Sequence, residues 1–95
     1  MSSREIRFLK LEKDTLIVGL KHRRSLQRLM ERNLAEAPDD HWRFFEHCTK
    51  TLADAKSEFA VASLSLLNVI RDINTLETGD ADAASAEHRA IVEAI

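Results

Sequence analysis

The stretch that decides the fold is DDHWRFFEHCTKTLADAKSEFAVASLSLLNVIRDINTLE, residues 39–77. Apolar side chains recur along it at alternating steps of three and four residues, at Phe45, Cys48, Leu52, Ala55, Phe59, Ala62, Leu66, Val69, Ile73 and Leu76. A spacing that averages 3.5 residues places side chains along one side of an α-helix. The pattern predicts a single long helix over residues 39–77.

The residues that flank this stretch are typical of helix ends. Pro38 fixes a φ angle that suits a first helical turn, and the carboxylates of Asp39 and Asp40 suit the positive end of a helix dipole. Gly79 lies where a residue in the left-handed conformation commonly ends a helix. We therefore expect the helix to begin just after Pro38 and to end before Gly79.

Residues 3–36 favour a second long helix, with a poorer apolar pattern. The same count from Ile6 gives seven apolar positions of ten, at Ile6, Leu9, Leu16, Leu20, Met30, Leu34 and Ala37. The β-branched run TLIVGL at residues 15–20 leaves an alternative, a β-hairpin that pairs residues 6–12 with residues 15–20. The segment IRFLKLE lacks clean alternation, so we expect a helix.

The tail, DADAASAEHRAIVEAI, predicts a short third helix over residues 82–94. Asp82 is the expected N-cap. Ala84, His88, Ile91 and Ile95 share one face of that helix.

Together these elements predict an all-α fold in one domain, residues 1–95. Turns are scarce, because the chain has two Gly and one Pro, where average usage would give roughly seven and five. Two long helices joined by a short turn predict an antiparallel hairpin with a short C-terminal helix. The apolar face of the second helix is broader than one neighbour can cover, which predicts a four-helix bundle completed by dimerisation.

The residues expected to form the face for a partner or a second copy lie along the long helix. They are Trp42, Phe44, Phe45, Leu52, Phe59, Val61, Leu64, Leu66, Leu67, Val69, Ile70 and Ile73. Trp and Arg are over-represented among residues that dominate binding energy. The cluster HWRFFE around Trp42 is therefore a candidate anchor, although it could also close the end of the bundle.

Charge and cysteine content restrict the class of protein. The net charge is −2, with nine Lys/Arg against five Asp/Glu in residues 1–36 and five against eleven in the remainder, about +4 and −6. The lone Cys48 excludes an internal disulfide framework, and a reducing cytoplasm is expected. The N-terminal segment is charged and no unbroken apolar run reaches 18 residues, so we expect neither a signal peptide nor a membrane span.

Catalytic and metal-binding patterns are missing from the sequence. No Glu has a His three residues further on, and no two His are four residues apart, so the ligand spacing of helical metal sites does not occur. Cys48 falls in the apolar row, which disfavours a reactive thiolate. We expect no enzyme, no cofactor and no metal.

The sequence therefore predicts a helical protein–protein interaction module, such as an adaptor, chaperone, inhibitor or assembly subunit. The expected partner is another helical protein or a second copy of the chain. The alternative is a nucleic-acid-binding regulator, because Lys21, Arg24, Arg28 and Arg32 recur at helical spacing and could contact phosphates. We call these four residues the basic stripe. The same residues could instead be solvated, or paired with acidic residues of the long helix.

Overall fold

The computed structural model describes residues 3–37 and 40–95. Helix α1 spans Ser3–Glu36, α2 spans Trp42–Glu77 and α3 spans Ala83–Ala94. No strand occurs in the described residues, so the all-α prediction is confirmed. Helix α1 runs unbroken through residues 6–20. The alternative of a β-hairpin at that place is wrong.

Packing explains why the β-branched run at residues 15–20 is helical. Leu20 is fully buried, and Leu16 and Ile17 pack against the same hydrophobic cluster. The Thr15 hydroxyl donates to the carbonyl of Leu11 at 3.0 Å, a local bond that a helix tolerates. Strand preference spans only about 1 kcal/mol per residue, whereas burying a Leu or Ile side chain is worth about 1.5–3 kcal/mol. Tertiary burial therefore decides this segment.

Helix α2 begins three residues later than predicted. Asp40 lies in a turn and His41 precedes the helix with φ −105° and ψ 58°, without a side-chain cap. Pro38 and Asp39 lie outside the described residues. The Phe45 N–H donates to the His41 carbonyl at 3.0 Å.

The end of α2 agrees with the prediction. Gly79 has a φ of +77°, in the left-handed region where a Cβ would be strained. Its N–H lies 3.0 Å from the carbonyl of Asn74 and 3.2 Å from that of Thr75. The glycine thereby covers two carbonyls of the last helical turn.

Helix α1 packs along α2. Lys10 Nζ lies 3.1 Å from the carboxylate of Glu77. Nearer the middle of both helices, Arg23 Nε lies 3.4 Å from the carboxylate of Glu58. Arg23 Nη1 also donates to the Gly19 carbonyl at 3.1 Å, and a Cβ at position 19 would lie 2.9 Å from that nitrogen. Glycine therefore lets the Arg23 guanidinium approach the α1 backbone while it reaches α2.

Most of the apolar row on α2 is covered by the chain itself. Six of its ten positions are buried, at Cys48, Ala55, Phe59, Leu66, Val69 and Ile73. Leu52, Ala62 and Leu76 are half-buried, and Phe45 is exposed. The row is therefore the internal side of α2 from Cys48 onward.

Helix α3 packs against the second half of α2. Ala84 is fully buried in the cluster, and Ile91, Val92 and Ile95 pack against it. His88 Nε2 lies 2.9 Å from both the hydroxyl and the carbonyl oxygen of Ser63. Asp82 is the N-cap residue as predicted, but its side chain makes no capping hydrogen bond. The Ala83 N–H donates instead to Asp80 Oδ1, two residues earlier, at 3.3 Å.

Two further contacts link α3 to α1. Lys13 Nζ lies 2.8 Å from the carboxylate of Glu87, and Arg28 Nη2 donates to the Ile95 carbonyl at 3.0 Å. The contacts of α3 named here fall on residues 13–28 of α1 and 59–70 of α2. Between these contacts and Asp40, α1 and α2 pack together without a named contact from α3.

We expect His88→Ala to loosen α3 without unfolding the long helices. The substitution removes a hydrogen-bonded, half-buried side chain, and a net hydrogen bond is worth about 1 kcal/mol. Amide hydrogen exchange in residues 83–94 should accelerate roughly fivefold to tenfold, as about 1 kcal/mol of local opening energy predicts. Arg89→Ala, at an exposed neighbouring position, is the control. Equal exchange in both variants would contradict a docking role for His88.

The molecule is elongated, as the helix lengths require. Its extents are 60 × 22 × 15 Å and its radius of gyration is 17.3 Å, against about 12 Å for a compact chain of this length. An elongated molecule has a small interior volume relative to its surface area. Many apolar side chains must consequently remain at the surface of a single chain.

Candidate interaction surface

Three aromatic residues open α2 and remain exposed. Trp42 is 63% exposed, Phe44 44% and Phe45 52%. The guanidinium of Arg43 lies 5.3 Å from the centroid of the Trp42 ring. We call Trp42, Phe44 and Phe45 the aromatic end. This part of α2 lies outside residues 59–70, the segment of α2 that α3 contacts.

The structure divides the predicted partner face into three groups. Phe59, Leu66, Val69, Ile70 and Ile73 lie in the interior of the chain. Leu52 and Leu67 are half-buried. The aromatic end, Val61 and Leu64 are exposed, the last two at 67% and 60%. Only the exposed and half-buried members can contact a partner while this fold persists.

A second exposed row lies on α1 and was missed by the sequence analysis. Phe8, Leu11, Val18 and Leu29 are all exposed. At 100° per residue, Leu11, Val18 and Leu29 fall within about 40° of one another on the helix, and Phe8 lies beside them. A second count of threes and fours from Phe8 would have found this row. The count from Ile6 found only the internal side of α1.

The basic stripe is partly engaged by the chain itself. The Arg24 guanidinium lies 4.1 Å from the centroid of the Phe59 ring and donates to Gln27 Oε1 at 3.1 Å. Arg28 donates to the Ile95 carbonyl. Lys21 and Arg32 are exposed. Two of the four predicted cations therefore stabilise the fold, and two remain at the surface.

Part of the surface around the stripe forms a shallow depression. Ser25, Arg28, Leu29 and Arg32 line an open space of about 260 Å³. Its two guanidinium groups and one hydroxyl are suitable donors for an anionic group such as a phosphate. All four residues are exposed on one face of α1, and only Arg28 among them has a side-chain contact named here, with the Ile95 carbonyl.

The candidate nucleophile and metal ligands are not assembled into a site in the described residues. Cys48 is 1% exposed, so a substrate could reach its sulfur only after the helices separate. No group of three or more His, Cys, Asp or Glu side chains in the described part of the chain is placed to hold a metal ion. His88 is occupied by its contact with Ser63.

Helix α2 also meets the length and composition criteria for a membrane span. It contains an 18-residue window with a mean hydropathy of 1.2, of which 22% is buried in the chain. Core helices of soluble proteins meet the same criteria. The expectation that the chain has no membrane span therefore stays a prediction.

Comparison of the chain with protein-family models, with curated proteins and with solved structures found no match.

Proposed function

We propose that this chain is a non-enzymatic helical protein–protein interaction module that works in the cytoplasm. In this proposal, α1 and α2 form an antiparallel hairpin, and a second helical protein covers the apolar surface that the hairpin leaves exposed. A second copy of the chain is the simplest such partner, because two hairpins complete a four-helix bundle. An adaptor, a chaperone, an inhibitor and an assembly subunit all act in this way.

The observation that carries the proposal is the exposure of the aromatic end. Large aromatic side chains dominate the energetics of interfaces, and contiguous exposed apolar patches mark sites of association. Trp42 and Phe45 lie about 60° apart on one side of α2, and Phe44 lies on another side. All three are 44–63% exposed, where α3 provides no cover. Small folded domains have only about 5–15 kcal/mol of stability, so covering these rings would be a substantial gain.

The test is the solution mass as a function of concentration. We expect light scattering after size exclusion to give a mass above the 10.8 kDa of one chain, rising toward a fixed oligomer with concentration. A mass of one chain at every concentration would remove the self-association form of the proposal. A heterologous helical partner would then be required.

The second candidate is a nucleic-acid-binding regulator, favoured by the depression between Arg28 and Arg32. Lys21 and Arg32 are the residues to change, because Arg24 is stacked on Phe59 and its loss would disturb the fold. If this function is correct, Lys21→Ala/Arg32→Ala should weaken binding to a generic duplex and lower the slope of log K against log salt by about 2. Arg71→Ala, exposed on α2, is the control. No salt-dependent binding in the unchanged protein excludes the candidate.

A further inference from the structure

The side of α2 that α3 covers continues, without cover from α3, toward the N-terminal end of α2. Along α2, α3 lies over the side that presents Ser63, Leu67 and Ile70. At 100° per residue, the same side of the helix presents a row of five residues nearer the turn, all within a sector of about 80°. These are Trp42, Phe45, Thr49, Leu52 and Lys56. We call them the open row.

Every member of the open row is at the surface. Leu52 is half-buried and the other four are exposed. Its steps of three and four residues are those of a helix that packs along another helix. The row therefore has the spacing of a helix-packing surface and lacks a helix.

We propose that the occupant is the open row of a second copy, with the two α2 helices antiparallel and Thr49 of each chain at the two-fold axis. This inference rests on the proposed function and specifies its partner and geometry. An isologous contact of this kind closes as a dimer, because each copy offers and receives the same surface.

The open row is complementary to itself in this register. A two-fold axis at Thr49 makes Leu52 of the second copy the member of its open row nearest to Phe45, about 1.5 Å out of exact register along the axis, so an aromatic ring meets an aliphatic side chain. It also places Trp42 opposite Lys56 of the second copy, so that the Lys56 ammonium can approach the indole ring beside Arg43 of the first chain. A parallel pairing would instead set Lys56 against its own copy, which like charges disfavour.

Charge at the edge of the row fits the same arrangement. Glu46 and Lys50 are exposed on one flank, about 80° and 120° around the helix from the centre of the row, so their long side chains would reach back toward the second copy. In an antiparallel pair, residues of the same flank face each other, so Glu46 meets Lys50 of the second copy, twice per dimer. Within the described residues neither side chain takes part in an ion pair. Both are therefore available for the contact.

The two aromatic rings of the open row supply less than a third of the area that a stable dimer needs. With about 200 Å² for a whole aromatic side chain, the exposed fractions of Trp42 and Phe45 supply roughly 230 Å² per chain. A standard interface needs about 800 Å² per partner. The open row is about 22 Å long at 1.5 Å per residue. It therefore occupies about a third of the 60 Å length of the molecule. The remainder can come from Leu52, the Lys56 methylenes and the adjoining surface of α1.

The first test is a cross-link at the proposed axis. In a Cys48→Ser background, Thr49→Cys should oxidise to a covalent dimer, because the two sulfurs would face each other. Ser65→Cys, exposed on the opposite side of α2, is the matched control and should remain mostly uncrosslinked. Equal yields of covalent dimer from the two variants would overturn the proposed axis.

The second test is charge reversal and rescue. Glu46→Lys alone should weaken dimerisation roughly tenfold, because it creates two repulsive pairs per dimer. Glu46→Lys/Lys50→Glu should restore the dimerisation constant to within about threefold of the original, by recreating both attractive pairs. Circular dichroism checks that each variant keeps its helix content. A double variant as weak as the single one would overturn the register.

The outcomes separate this inference from the proposed function. An oligomer that shows neither the Thr49 cross-link nor charge rescue overturns the inference and leaves the interaction module standing. A chain that stays monomeric at all concentrations overturns the inference. Binding to phosphatidylcholine vesicles that depends on Phe45, in place of dimerisation, also overturns it. The last result would assign the open row to a membrane surface and would also contradict the proposed function.

Discussion

Leu66→Ala is expected to lower the free energy of unfolding by about 2–5 kcal/mol, the usual range for deleting a buried Leu side chain. Leu66 has no exposed surface and lies in the cluster where all three helices meet, with Leu20, Phe59, Ile70 and Ala84. The three helices cannot all close on the space left behind. Urea denaturation at a fixed chain concentration measures the effect, since self-association would also add to the apparent stability.

Leu64→Ala provides the matched control for this prediction. It deletes the same atoms two residues away on the same helix, from a side chain that is 60% exposed. Its effect on the free energy of unfolding should stay within about 0.5 kcal/mol. If Leu64→Ala destabilised the chain as much as Leu66→Ala, the side of α2 that faces the interior would have been assigned incorrectly.

The helical class could be predicted because one pattern is nearly uninterrupted. Alternate steps of three and four from Phe45 to Leu76 leave few alternatives to a helix, and α2 covers that range. The first helix has a poorer apolar pattern, and β-branched residues at 15–18 favour a strand locally. The burial that overrides this preference depends on α2 and α3, which a local pattern does not contain.

The start of α2 was predicted less well than its end. The expected start at residue 39 depended on Pro38 and on helix-dipole charge, each worth about 1 kcal/mol or less. The structure begins α2 at Trp42 instead. Gly79 was a firmer guide, because a positive φ excludes most other residues.

The candidate surface could be predicted in its position along the chain but not in its burial. Periodicity shows which side chains share a face of α2, and does not show whether that face meets α1 or a partner. Phe59 and Phe45 belong to the same row, yet Phe59 is covered by the chain and Phe45 is not. The difference depends on where α3 ends, which the pattern within α2 cannot reveal.

The basic stripe illustrates the same difficulty with charge. Spacing placed Lys21, Arg24, Arg28 and Arg32 together on α1, which is typical of a phosphate-binding face. In the structure, the Arg24 guanidinium lies over the Phe59 ring, and Arg28 donates a hydrogen bond to the Ile95 carbonyl at the end of α3. A guanidinium beside an aromatic ring stabilises a fold as readily as it binds a ligand. Composition alone does not distinguish these two roles.

Phe45→Glu is expected to weaken self-association at least about thirtyfold while leaving each chain helical. Phe45 is 52% exposed in a single chain, so covering the remainder is worth roughly 1 kcal/mol per copy, half the value of a whole buried side chain. Two-fold symmetry counts the loss twice, and about 2 kcal/mol corresponds to thirtyfold in a dissociation constant. The new carboxylate would add to the cost because it would be desolvated in the interface.

The fold itself should tolerate this change. Position 45 lies in the first turn of α2, where a negative charge is favourable to the helix dipole. Sedimentation equilibrium measures the dissociation constant, and circular dichroism checks the helix content.

Phe8→Glu is the control that separates a specific effect at Phe45 from a general loss of surface hydrophobicity. Phe8 is 55% exposed, nearly the same as Phe45, and lies in the exposed row on the outward side of α1. General loss of surface hydrophobicity would make the two variants equally weak in association, whereas the open row predicts a large effect at Phe45 and little at Phe8. A larger effect at Phe8 would place the interface on α1. Two-fold symmetry doubles the loss of binding energy only for a residue that lies in the interface.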